Sequence, residues 1–246
     1  MWEWSTKWGM DIHPLKTCVI HFGYHNQKHD YYLNGTNIMK VTSAKDLGVI
    51  INDSCSPSDH VANITRKANG VLSQLRRSFI SRNKDVVINL FKVFVRPIIE
   101  SAGPVWCPFE RQYIDEIEKI QRRATKMVPG LGHLEYNDRL QHCRLTTLEH
   151  RRHRGDLILV YKMLNGFSYV NNDQFFCFMS QRHDVATRSS ENGLMIAEKC
   201  HLDLRKYFFT NRIVKMWNDL PIEARETDSV NSFKMIYDEW FSTQAN

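Results

Sequence analysis

Residues 114–130, with the sequence IDEIEKIQRRATKMVPG, constrain the fold of this chain most. Apolar residues recur there at steps of three and four, which predicts that they share one face of an α-helix. Acidic residues fill the early turns and basic residues the late turns, an order that suits the helix dipole. Pro129-Gly130 is predicted to end the helix. The apolar face consists of Ile114, Ile117, Ile120, Ala124, Met127 and Val128.

Apolar residues also keep helical spacing in most other parts of the chain. From Ser58 the pattern predicts one helix to Phe79 and a second over Val86–Val95, which Arg96-Pro97 kinks or ends. A short helix is predicted over 137–143. Thr146–Glu149 fits a capping box that opens a helix ending at Asn165-Gly166. Further helices are predicted over 207–220 and from Phe233 to Phe241, with a loop at 189–193.

The N-terminal part of the chain has a different pattern, with short β-rich runs between turn residues. Asn34-Gly35 is the pair that best fits a type I′ hairpin turn, and residues 13–52 are predicted to form a small antiparallel sheet. The predicted fold class is therefore α+β and mostly α, with this sheet followed by a helical bundle and further helices. Three regions are predicted: 1–57, 58–130 and 131–246.

Positive charge is concentrated between residues 66 and 96. Eight Lys or Arg residues face one acid there, Asp85, so the segment carries +7, whereas the whole chain carries +6. Such a cluster is typical of a surface that binds phosphate. Basic residues also coat ordinary helices, so a solvated helix face is the alternative.

The sequence contains few signs of catalysis, metal binding or membrane insertion. None of the phosphate-binding, zinc-protease or serine-hydrolase motifs is found, and His150-x-x-His153 lacks a third metal ligand. We predict no metal site and no cofactor in this chain. The six cysteines are far apart, which favours reduced thiols and an intracellular protein. No apolar run reaches the ~18 residues of a membrane span, so no membrane partner is expected.

Fragments spread along almost the whole chain resemble the C-terminal part of the reverse transcriptases of LINE-type, jockey-like retrotransposons. Residues 4–17, WSTKWGMDIHPLKT, resemble motif D of that family, and YLNG at 32–35 and KDLGV at 45–49 resemble the region that closes the palm. The thumb and the region beyond it are matched, in order, by AN at 68–69, VRP at 95–97, PVW at 104–106, QRRATK at 121–126, RL at 139–140, TLEHRRHRGDL at 147–157, YK at 161–162 and WNDLP at 217–221.

The resemblance implies roles for particular residues. Lys16 occupies the place of the motif D lysine, a general acid that protonates the departing pyrophosphate, and Leu47-Gly48 occupy the primer grip. The helices from 59 to 96 correspond to the thumb, which follows an RNA–DNA hybrid by its backbone and shape. The candidate nucleic-acid-binding residues are Arg66, Lys67, Arg76, Arg77, Arg82, Lys84, Arg122, Arg123 and Lys126.

The chain also departs from the family pattern. His13 stands where an asparagine is usual, and the catalytic loop with paired aspartates lies upstream of motif D in the family, before this sequence begins. The Mg²⁺ of the full-length family therefore has no ligands in this sequence, and we expect no polymerase activity from this chain alone. The palm and fingers of a full-length element protein are expected partners, and nuclear DNA the place of action. A non-enzymatic nucleic-acid- or protein-binding module, or a relic without function, is the alternative.

Overall fold

A computed structural model describes residues 2–10, 12–23, 25–80, 82–179 and 193–244. The N-terminal part of the chain contains a short helix and small β-ladders. Helix α1 (Trp2–Trp8) is followed by a 3₁₀ turn (Pro14–Lys16) and then by six strands. The strands are β1 (Cys18–Val19), β2 (Tyr32–Leu33), β3 (Thr36–Asn37), β4 (Met39–Lys40), β5 (Ser43–Asp46) and β6 (Val49–Asn52).

The strands form separate two-stranded sheets. The hairpin of β2 and β3 is antiparallel, and its turn residues Asn34 and Gly35 both have positive φ, as the sequence predicts. A second hairpin joins β5 and β6 through Leu47-Gly48. The prediction of one antiparallel sheet over 13–52 needs correction, because β1 pairs with β4 in parallel and the ladders are not joined.

Helices make up most of the remaining chain, which confirms the predicted α+β, mostly α class. The first group is α2 (Ser58–Ser78), α3 (Lys84–Leu90), a π-helical turn (Phe91–Val95), α4 (Arg96–Glu100), α5 (Gly103–Trp106), α6 (Arg111–Lys126), α7 (Tyr136–Cys143) and α8 (Leu148–Leu164). The second group is α9 (Asp203–Lys206), α10 (Phe209–Asn218), α11 (Ile222–Arg225) and α12 (Val230–Gln244), after a 3₁₀ turn (Asn172–Gln174) and the antiparallel pair β7 (Cys177–Phe178) and β8 (Met195–Ile196).

Two local details differ from the sequence-based predictions, and a third prediction lies outside the described residues. The chain stays helical from Lys84 to Glu100, because the π-helical turn before Pro97 widens the helix where the proline removes a hydrogen-bond donor. Thr147, not Thr146, caps α8, and its side chain accepts a hydrogen bond from the N–H of His150. The loop predicted at 189–193 lies outside the described residues except for Gly193.

Two main hydrophobic cores organise the helices. The N-terminal core combines β6, α2, the π-helical turn, α4, α5 and α6, and Leu148 at the start of α8 also belongs to it. The C-terminal core combines the later part of α8 with α10, α11, α12 and the β7–β8 pair. The region boundaries at 57/58 and 130/131 stay predictions, and the N-terminal core crosses both of them because it contains Val49 and Leu148.

A buried polar cluster fastens α7 and α8 to α6. Glu118 accepts hydrogen bonds from the hydroxyl of Tyr136, from the side-chain amide of Gln121 at 3.3 Å and from the N–H of Leu148 at 3.0 Å. Gln121 also donates to the carbonyl oxygen of Thr146 at 2.9 Å. Because buried polar groups are costly unless paired, this cluster selects one packing of the three helices.

Candidate nucleic-acid interface

Helix α2 presents its predicted binding residues to solvent. Its buried face includes Val61, Ile64, Ala68 and Leu72, which pack in the N-terminal core. At 100° per residue, the remaining side of the helix carries the four candidate cations, and the structure leaves all of them exposed. They are Arg66, Lys67, Arg76 and Arg77.

Helix α6 runs parallel to α2, which brings the C-terminal ends of the two helices together. Thr65 donates a hydrogen bond to Glu116 at 3.0 Å, and one to two turns later Arg123 donates to Asn69 at 2.8 Å. The order of contacts therefore ascends in both helices. Lys126 in the last turn of α6 lies at the same end of the bundle as the last turn of α2.

The turn into α3 adds two more cations at this end. Arg82 lines a small apolar cavity together with Phe79 from the end of α2 and Met127 from the end of α6. Lys84 opens α3, where the side chain of Asn83 accepts a hydrogen bond from the N–H of Asp85 at 2.9 Å. We call the exposed cations Arg76, Arg77, Arg82, Lys84 and Lys126 the basic end.

Within the described part of the chain, none of these five cations forms an ion pair. The partial negative charge at the carbonyl ends of α2 and α6 is also compensated by Arg76, Arg77 and Lys126. Compensating the helix dipole and binding an anionic ligand are compatible roles, since a side chain that compensates a dipole at the surface still presents its charge to a ligand.

The other predicted binding residues lie elsewhere or have partners in the protein. Arg66 and Lys67 come nine or ten residues before Arg76, about 15 Å earlier along α2. Arg122 stacks over the ring of Tyr136 at 4.3 Å, and Arg123 is bound to Asn69. These cations can extend a contact surface, but they do not belong to the basic end.

Sequence reasoning missed Arg144 in this region. Cys143 packs with Val87, Ile88 and Val128 near the start of α3 and the end of α6, and this contact carries Arg144, the next residue, to the same area. Arg144 is exposed and ends α7 in the left-handed conformation. No local pattern signals this position, because it depends on the packing of α7.

The residues assigned by resemblance to motif D and the primer grip lie apart from the basic end. Leu47 and Gly48 form the tip of the β5–β6 hairpin, both with positive φ, and Leu47 is 97% exposed. The N–H of Ile50 donates to His60 at 3.2 Å, which anchors the hairpin at the N-terminal end of α2. That end is about 24 Å from Arg76 along the helix axis.

Lys16 ends the 3₁₀ turn and is exposed. In the described part of the chain, no hydrogen bond or ion pair connects its side chain with the basic end or with the β5–β6 hairpin.

The described residues offer neither a metal-binding cluster nor a membrane-spanning helix. They contain no group of three or more His, Cys, Asp or Glu side chains that could hold a metal ion, so they do not fit the Mg²⁺ of the full-length family. Nor do they contain a helix that is long and apolar enough to cross a membrane.

Comparisons of this chain with known protein-family models, with curated proteins and with solved structures gave no match.

Proposed function

We propose that this chain binds double-helical nucleic acid through its sugar–phosphate backbone, as a thumb-like module related to the LINE-type reverse transcriptases. The preferred ligand is an RNA–DNA hybrid. The observation that carries the proposal is the basic end, where cations from α2, α3 and α6 meet without acidic partners among the described residues.

The geometry of the basic end supports a backbone ligand rather than a small anion. Its cations are exposed and spread over three helix ends, so they present a surface instead of a pocket. A double helix carries one phosphate charge per about 1.7 Å of its axis, so several of these cations can each meet a phosphate. Contacts of this kind position a protein without reading the sequence.

The proposal assigns no catalytic step to the described residues, because they hold no set of ligands for the metal ions of phosphoryl transfer. Lys16, Leu47 and Gly48 keep only the roles that the resemblance implies.

Fluorescence anisotropy with a labelled RNA–DNA hybrid tests this proposal across a salt series. We expect the affinity of the full chain to fall steeply between about 50 and 200 mM salt, because each neutralised phosphate releases counterions. Replacing Arg76, Arg77, Arg82 and Lys84 with alanine should weaken binding at least about tenfold and reduce the slope of log K against log salt by about 3.

The matched control replaces four exposed lysines outside the basic end, Lys7, Lys162, Lys199 and Lys206, with alanine. Both variants lose the same net charge, so a general effect of charge would weaken binding equally in the two. Equal loss in both variants, or no binding by the original chain, would contradict the proposal.

A further inference from the structure

The turn between α2 and α3 carries an aliphatic side chain that points entirely into solvent. Ile80 is 97% exposed. Its neighbour Phe79, which caps α2, is 43% exposed and lines the small cavity with Leu75 and Met127. Phe79 is therefore held against the helix ends, and Ile80 projects beyond it.

Ile80 lies inside the basic end, with cations on both sides of it along the chain. Arg76 and Arg77 precede it by four and three residues, and Arg82 and Lys84 follow it by two and four. Since consecutive Cα atoms are 3.8 Å apart, all four cations have their Cα atoms within about 15 Å of that of Ile80. A single exposed apolar residue is common on proteins, and Ile80 is notable because four exposed cations without ion pairs among the described residues flank it.

We infer that Ile80 is an apolar wedge that enters a groove of the bound duplex and partly unstacks one base step, while the flanking cations hold the phosphates on either side. This inference rests on the proposed function and specifies how the surface contacts its ligand. Apolar side chains inserted between base steps by proteins with basic surroundings kink the helix in this way.

An anionic lipid surface is the other ligand with phosphate groups and an apolar interior. The structure favours nucleic acid, because a base step accepts one side chain, whereas a membrane needs a larger apolar surface. Even a whole myristoyl chain gives a membrane association constant of only about 10⁴ M⁻¹. The described residues of the turn offer one fully exposed aliphatic side chain and one half-exposed ring.

The test uses the full chain and a short RNA–DNA hybrid with 2-aminopurine in a pyrimidine–purine step of the DNA strand, since such steps unstack easily. Unstacking raises the fluorescence of 2-aminopurine. We expect the original chain to raise it at saturation, and Ile80→Ala to reduce the increase at least about threefold while the salt slope stays the same. Leu202→Ala, at a site that is 70% exposed and outside the basic end, serves as the control and should match the original chain.

The outcomes separate this inference from the proposed function. Salt-dependent binding without a fluorescence increase, or with the same increase in Ile80→Ala, overturns the wedge and leaves backbone binding intact. No binding to the hybrid overturns both. Binding to phosphatidylserine vesicles that is lost in Ile80→Ala, without unstacking of the hybrid, assigns the turn to a lipid surface and also overturns the wedge.

Discussion

At the scale of single residues, Glu118 shows how much one buried carboxyl group organises. Its side chain is 5% exposed, and burial raises its pKa because the charged form is poorly solvated there. The folded protein therefore holds the proton of Glu118 more tightly than the unfolded chain. From the sequence, Glu118 is one of the acidic residues in the early turns of α6 that suit the helix dipole. Its burial could not be predicted, because a pattern of charges does not reveal that α7 and α8 cover it.

Replacing Glu118 with alanine should lower the free energy of unfolding by about 3 kcal/mol, because it leaves a cavity and removes the acceptor of buried donors from Tyr136 and Leu148. Glutamine keeps an acceptor oxygen and resembles the protonated acid, so Glu118→Gln should cost less than about 1 kcal/mol. Urea denaturation of both variants at neutral pH checks this. Equal costs for the two would show that the hydrogen bonds of this site do not determine its stability.

Two arginines near the start of α8 form ion pairs within the protein. Arg151 binds both oxygens of Glu100, at 2.5 and 3.1 Å, and Arg154 binds both oxygens of Asp238, at 2.6 and 2.7 Å. Basic residues near a helix start are unfavourable for the helix dipole, and these two pairs offset that cost. Their charges serve the fold and do not add to the basic end.

At the scale of elements, the helices follow the sequence closely and the sheets do not. The predicted helix from 58 to 79 is observed over Ser58–Ser78, since its periodicity is local. The parallel pairing of β1 with β4 joins segments about 20 residues apart and has no local signal. The cations of α2 and α6 were visible in the sequence. Their proximity depends on the parallel packing of the two helices, which the contacts of Thr65 with Glu116 and of Asn69 with Arg123 reveal together.

Helix α12 packs on α8 partly through His150, and we expect this contact to depend on pH. The ring of His150 stacks on Phe241 with centroids 3.5 Å apart and lies beside Tyr237. Burial and, to a smaller extent, the neighbouring His153 lower the pKa of His150 from 6.5 to about 4, against an opposing contribution from Asp238. The folded state therefore keeps His150 neutral where the unfolded chain takes up a proton.

The stability that His150 contributes should be complete above pH 6.5 and should disappear as the pH falls towards 4. Solvent screening of this partly buried group limits the loss to about 1–2 kcal/mol. Hydrogen exchange of residues 230–244 at several pH values measures it. In His150→Gln, which cannot take up this proton, the protection factor (the exchange rate relative to the intrinsic rate of a free amide at the same pH) should depend less on pH in this range. An unchanged dependence would assign the effect to other groups, such as His153.

At the scale of the whole molecule, α8 connects the two cores. Leu148 in its first turn belongs to the N-terminal core, and Leu157, Val160 and Tyr161 belong to the C-terminal core. Because α8 is continuous from Leu148 to Leu164, opening of one core disturbs a helix that also packs in the other core. The two cores are therefore expected to unfold together.

Glycines inside two helices allow this coupling to be measured. Gly155 lies in α8 and Gly70 in α2, and a Cβ atom added at either would meet nothing within 4 Å. Each change to alanine should raise the free energy of unfolding by about 0.5–1 kcal/mol, because alanine has a higher helix propensity and reduces the entropy of the unfolded chain. If the cores form one cooperative unit, either variant should slow hydrogen exchange in both α2 and α10. Protection that rises only in the core nearest the substituted glycine would show instead that each core opens by itself, with α8 fraying at Gly155 between them.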